Sequence, residues 1–270
     1  MSDSAYSGYV YRLPELPHAY GPHVHLLADP VLLTQLARLC RPEVVQPEVT
    51  RLVRDMYRAL ARFVLAHEFP RRGVEVKTRM YESTERGLWA GDVLDPDTRA
   101  VTVNIARAGT LPSQVVFETL TELLSPELVR QDHVFMARVT GADGCVTGVS
   151  MAGSKIGGGV DDALVLFPDP MGATGGSLAH TVSLYKSPGA RPRKLISLNL
   201  IVTPEFVARM RREHPEVRIY AIRLDRGMSS AEVLRSGLGA QPEAETGLNE
   251  VQYIVPGAGG VGEILNNSFV

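Results

Sequence analysis

The sequence predicts an α/β fold, a mostly parallel sheet flanked by helices, with an N-terminal arm and helix and a hairpin arm set before it. Three observations carry that expectation. From Val101 onward, short apolar runs alternate with stretches of helical periodicity. A long amphipathic helix precedes them. One apolar run then passes through an acidic residue into a turn of small residues and a further helix. Alternation on this scale builds βαβ units, whose ligands bind beyond the carboxyl ends of the strands.

Residues 1–21 mix Ser, Tyr, Pro and Asp without a long apolar run. They read as an irregular arm suited to wrapping a partner subunit, and as neither a signal peptide nor a membrane span. One domain is expected over residues 22–270. His23 and His25 alternate as in an extended segment. Pro47–Phe69 is a helix, with Leu52, Met56, Leu60, Phe63 and Val64 at helical spacing and Arg51, Arg54, Asp55, Arg58 and Arg62 between them. Pro47 suits a first helical turn, where its missing donor costs nothing. Tyr81 and Trp89 lie in a hairpin-like arm and are packing residues.

The predicted strands are Val101–Ile105, Val134–Val139, Ala163–Phe167, Leu195–Val202 and Arg218–Leu224. Helices are expected at Ser113–Leu124, Thr174–Lys186 and Pro204–Glu213, the last capped by Thr203. Gly141–Asp162, rich in Gly, Ser and Thr and carrying Lys155, has the composition of a mobile hairpin or lid. Residues 226–246 read as a surface insertion, with a short helix from Ser229–Ser230 to Gly237 or Gly239.

Composition narrows the function classes. Of 270 residues, 44% are hydrophobic and 21% charged, enough for a sizeable core. A formal charge of -2 argues against a generic nucleic-acid binder, and Arg209, Arg211 and Arg212 read as a solvated helix face. Cys40 and Cys145 make neither a disulfide framework nor a zinc site, so a reduced, cytoplasmic setting is expected. His67, His180 and His214 read as surface or packing histidines.

The most informative stretch runs from Ala163 through Asp169, Met171, Gly172, Ala173, Thr174, Gly175 and Gly176 to Ser177. A buried strand ends at an acceptor, and small residues lead into a helix. Amides at a helix start converge on one point and the helix dipole favours an anion there. Gly175 and Gly176 let backbone approach a phosphate, Thr174 and Ser177 add hydroxyl donors, and Asp169 is placed for sugar hydroxyls. Neither the nucleoside-triphosphate loop spacing nor the dinucleotide glycine pattern is present.

This loop resembles the phosphoribosyl-diphosphate loop of uracil phosphoribosyltransferases, a family that normally has a bulky apolar residue where Gly172 stands. Other blocks follow in the family's order. They are Arg107-Ala108-Gly109, Met136-Ala137-Arg138, Leu248-Asn249-Glu250 and Tyr253-Ile254-Val255-Pro256-Gly257. The resemblance implies a type I phosphoribosyltransferase fold and displacement of diphosphate from ribose C1 by a ring nitrogen. It implies Mg2+ brought with the diphosphate of the substrate, a pyrimidine base with uracil favoured, a homodimer or higher homo-oligomer, and GTP as a bound nucleotide. By the same resemblance Asp169, Arg107 and Arg138 are the catalytic candidates, and Arg107 and Arg138 hold the diphosphate. Asp169, Met171, Ala173, Thr174, Gly175, Gly176 and Ser177 bind phosphoribosyl diphosphate. Tyr253, Ile254, Gly259, Gly260 and Val261 form the base-recognition segment, reading uracil largely through backbone groups.

The C-terminal segment departs from the family pattern. After Pro256-Gly257 the family usually continues with an aromatic residue or Leu and then Gly-Asp-x-Gly-Asp-Arg, whereas here the first Asp is Gly260, the second is Glu263 and the Arg is Ile264. Losing a preorganised carboxylate beside a developing cation costs on the order of a hundredfold in rate. Two readings therefore stand side by side: an enzyme making a nucleoside monophosphate, and a non-catalytic relative binding phosphoribosyl diphosphate or a nucleotide as sensor or scaffold.

Overall fold

The computed structural model describes residues 3–140, 146–186 and 189–268, with the side chains of 137–140 and 146–151 left out. Ten strands are described: β1 (Val24–Leu26), β2 (Arg71–Lys77), β3 (Leu88–Leu94), β4 (Ala100–Ala106), β5 (Val129–Thr140), β6 (Val146–Lys155), β7 (Leu164–Pro168), β8 (Met171–Gly172), β9 (Lys194–Val202) and β10 (Arg218–Leu224). Seven α-helices accompany them: α1 (Pro30–Leu39), α2 (Glu48–Glu68), α3 (Thr110–Leu123), α4 (Gly176–Leu184), α5 (Pro204–Glu213), α6 (Ala231–Arg235) and α7 (Val261–Asn266).

The main sheet runs β1-β10-β9-β7-β4-β5-β6, with β8 on β9, and every pairing is parallel except β5 with β6. Its central strands β4, β7 and β9 are buried on both faces. Ala100, Leu164, Leu166, Ile196, Leu198 and Ile222 face α1, α2 and α3, while Val101, Val103, Val165, Phe167, Ile219 and Ala221 face α4 and α5. That alternation within continuous apolar runs is what a sheet covered on both sides requires. The α/β expectation holds.

From β4 the chain crosses through α3 to β5 on one side. From β7 it moves the opposite way, through α4 to β9 and α5 to β10. The carboxyl ends of β4 and β7 are thus adjacent strand ends whose connections diverge, the place where an open α/β sheet forms a ligand crevice.

Several local readings shift. α4 starts at Gly176 rather than Thr174, because Gly175 takes φ 75 as its cap and breaks helical geometry before it. Pro47 caps α2 rather than entering it. Two helices went unread: α1, capped by Asp29 with Pro30 in its first turn, and the short α7. The arm lies on its own chain. Asp92 N–H donates to Tyr6 O at 2.9 Å, and Glu15 and His18 bridge to Leu27 and Leu238. The segment 226–246, read as an insertion with a short helix, carries α6 capped by Ser230 and is anchored by Glu245, buried against Arg226 and Tyr20 and accepting from Gly239 N–H. Among the described residues no helix is long and apolar enough to cross a membrane.

Candidate active site

The loop after β7 is built from below by β9. Asn199 Nδ2 donates to Asp169 O at 2.6 Å, and the Thr203 hydroxyl donates to Ala173 O at 2.7 Å. Thr203 N–H donates to Gly172 O, and the amides of Leu200 and Ile201 both donate to Pro170 O. These bonds satisfy the loop carbonyls from the sheet side, while the amides of Thr174 and Gly175 form no hydrogen bond among the described residues. The first intrahelical bond of α4 is Ala179 N–H to Gly175 O at 2.9 Å, so the amides of 176–178 have no intrahelical acceptor. The Gly176 amide is turned toward Thr174 Oγ1 at 3.4 Å. A Cβ at Gly175 would meet only ordinary contacts, Arg209 Cδ and Phe206 Cδ2 at 3.4 Å, so its positive φ rather than space demands glycine.

Asp169 sits at the mouth of this loop. Burial pushes its carboxyl up to about 6, against a weak bond from Met171 N–H at 3.5 Å. Beneath it Tyr57 is wholly buried, and its hydroxyl donates to Leu198 O at 3.0 Å. Met171 and Ala173 are partly buried and pack against the α1–α3 side of the core.

The neighbouring crevice wall is Arg107-Ala108-Gly109. Gly109 closes on β7 so tightly that a Cβ there would lie 2.8 Å from Ile105 O and 2.9 Å from Pro168 O. Arg107 is exposed, and its Nη1 donates to Ser268 Oγ at 2.5 Å. Arg138 pairs through its backbone with Val149 in the β5–β6 hairpin, and its side chain lies outside the described atoms. A cavity of about 290 Å³ opens on the α3 side of Arg107, lined by Asn104, Thr110, Gln131, His133 and Asn266 among others. It shares only Arg107 with the residues singled out in the sequence, and the shallow cradle at 169–177 does not border it.

The segment 253–262 crosses above the ends of β9 and β10. Asp225 accepts from Gly257 N–H at 2.9 Å, and Glu205 accepts from the amides of Gly247 and Leu248. Ile254 is buried in the core, Tyr253 is 39% exposed, and Gly259 faces open space at φ 67. Val261 is buried at the start of α7 with its amide bonded to Gly259 O. Gly262 brings α7 against the crevice wall, where a Cβ would meet Ala108 Cβ at 3.0 Å. The sheet thus brings together 107–109, 169–177 and 253–262, three blocks separated by up to about half the chain.

A family model described as uracil phosphoribosyltransferase matches residues 26–243. The chain belongs to the uracil phosphoribosyltransferase family. It is therefore a phosphoribosyltransferase, an enzyme of the glycosyltransferase type. It is similar to a uracil phosphoribosyltransferase of Shouchella clausii (strain KSM-K16), 29% identical over 242 residues, which are 90% of this chain and 97% of that protein. Its fold is similar to that of the AQ2163 protein from Aquifex aeolicus, with a TM-score of 0.65 and 20% identity over 90% of this chain and 97% of that one.

Within this phosphoribosyltransferase the two glycine departures have physical counterparts. At Gly172 a Cβ would lie 2.9 Å from both Phe206 Cδ2 and Val202 Cγ1, so the Phe206 ring fills the volume a bulky residue would take. At Gly260 the Cβ position coincides with the Glu263 carboxylate, whose Cδ lies 2.9 Å away. Sequence reading named Thr203 as the cap of α5, which it is, but missed that Thr203, with Asn199 and Glu205, also holds the loops. It missed, too, a cluster of buried His25, Glu68 and Tyr220 with half-buried His67 near the edge of the sheet. Lys194 and Arg218 already neutralise Glu68 in that cluster at 2.8 Å.

Proposed function

We propose that this enzyme transfers the phosphoribosyl group of phosphoribosyl diphosphate to uracil, giving uridine monophosphate and diphosphate. The observation that carries the proposal is the cradle at the switch point. Unpaired amides, the Thr174 and Ser177 hydroxyls and a glycine at φ 75 stand beside a crevice walled by Arg107. A phosphate monoester matches that donor set.

In this reading the 5-phosphate binds 174–177, with Met171 and Ala173 shaping the loop, and Asp169 accepts from ribose hydroxyls. Arg107 and Arg138 hold the diphosphate, and Lys155 stands at the base of the β5–β6 hairpin, opposite His133. Backbone groups of Tyr253, Ile254, Gly259, Gly260 and Val261 recognise the base. The cleft carries no cage of carboxylates among the described residues, which suits a magnesium ion that keeps its water and substrate oxygens. Bound with the diphosphate, magnesium would neutralise the leaving group, and Arg107 and Arg138 would hold it only through that diphosphate. A homodimer or higher homo-oligomer completes the proposal.

Product formation from phosphoribosyl diphosphate, magnesium and a panel of bases tests it, with the Thr174→Ala, Gly175→Ala double variant as control. Uracil-dependent appearance of uridine monophosphate, lost in the variant, is expected. Tight binding of phosphoribosyl diphosphate without turnover of any base would replace the proposal with a sensor.

A further inference from the structure

We infer that Glu263 carries the acid that position 260 lacks: its carboxylate, folded back over Gly260, supplies the negative charge beside the ribose ring during transfer. The inference rests on the phosphoribosyl-transfer reading above and adds a residue to it. Its starting point is spatial. A side chain on residue 260 would begin where Glu263 Oε2 lies, with Glu263 Cδ at 2.9 Å and Cγ at 3.5 Å. The space above Gly260 is thus already occupied by a carboxylate, delivered from three residues further along.

The local fold makes this delivery possible. Gly260 caps α7, and Glu263 N–H donates to Gly260 O at 2.9 Å, so one tight turn stacks residue 263 over residue 260. Gly262, between them, packs on Ala108, and Gly109 of the same loop packs on Pro168 O. Residue 263 therefore follows directly on the contact with Ala108, at the end of 253–262 that meets the crevice wall. It is not spent elsewhere. Among the described residues its carboxylate forms no ion pair and no hydrogen bond, and the nine other glutamates of which that is true are all exposed, whereas Glu263 is half-buried. A glutamate at this helical position commonly caps the preceding amide. Here no such bond is formed.

The chemistry asks for such a group. The C1–O bond breaks with its electron pair leaving on the diphosphate, the ring nitrogen donates the pair of the new C1–N bond, and that nitrogen's proton passes to solvent. Positive charge gathers on the ribose ring between these events, and a fixed carboxylate stabilises it more than it stabilises the neutral ground state. Gly260 and Glu263 form one exchangeable unit: without a side chain at 260, residue 263 can fold inward.

The test is a two-site exchange in the full chain, read as kcat, KM and Tm. Glu263→Gln keeps size and polarity, and is expected to lower kcat on the order of a hundredfold with KM changed by less than about threefold and Tm unmoved. Gly260→Asp alone is expected to impair the enzyme, because its side chain meets the existing carboxylate. Gly260→Asp combined with Glu263→Gln is expected to recover at least about tenfold of the lost kcat. Wild-type kcat in Glu263→Gln would overturn the inference while leaving uracil transfer intact, as would a loss that tracks Tm and is not rescued. An unmodified chain that turns over no base would overturn both.

Discussion

Asp169 offers a quantitative link between the site and stability. Its carboxyl is raised from 3.8 to about 6, chiefly by burial. A group raised in the folded state contributes stability that is present below its unfolded value and lost as pH rises through its folded one. The window therefore runs from about 4 to about 6. At 1.36 kcal/mol per pH unit, ionised Asp169 costs the fold about 3 kcal/mol at pH 8, reduced to roughly 2 kcal/mol because the side chain is not fully sealed from water. Asp169→Asn retains an acceptor for Met171 N–H but never ionises. Urea midpoints at pH 4, 6 and 8 are the assay, with the slope monitored for constancy. The variant is expected to be about 2 kcal/mol more stable than the parent at pH 8, with the gap closing by pH 4. His25, whose burial lowers its pKa, titrates in both chains and cancels in the difference. Turnover is expected to fall in the same variant, a trade of activity for stability. A variant that is less stable at pH 8, or a gap independent of pH, would refute the reasoning.

Further outcomes follow from other contacts. Burial alone would raise Glu68, but Lys194, Tyr220 and Arg218 hold it down at about 2, so its contribution is present above 4.5 and lost as pH falls through 2. Glu68→Gln is expected to cost about 3 kcal/mol at pH 7 and progressively less below pH 4, measured by urea unfolding. Gly172→Val should cost about 1–3 kcal/mol by collision with Phe206 and Val202, and Phe206→Ala in the same chain should return part of it, read as Tm. Arg107→Ala should lower kcat/KM about a hundredfold or more at low salt, and less when salt already screens the diphosphate.

Much of the architecture was legible because its signals are local. Leu52, Met56 and Leu60 recur at helical spacing, and β4, β5, β7, β9 and β10 lie within a few residues of the apolar runs that announce them. α1 went unread although its signals are local, Asp29-Pro30 being a cap and first turn followed by Leu32, Leu36 and Leu39. What stayed hidden is relational. That Phe206 fills the room over Gly172, that Asn199 and Thr203 carry the loop after β7, and that Glu263 lies over Gly260 are consequences of packing between distant or turned segments. The α4 start moved because one left-handed glycine outweighs two good helix-entry residues before it.

The most direct single measurement is a titration of the 15N-labelled chain with phosphoribosyl diphosphate and magnesium, following the amides of Gly175, Gly176 and Ser177. The expected result is that these amides shift most, with one shared Kd that is lost in Thr174→Ala, Gly175→Ala. Shifts confined to Gln131 and His133 in the cavity beyond Arg107, or none at all, would contradict the assignment of the cradle as the phosphoribosyl site.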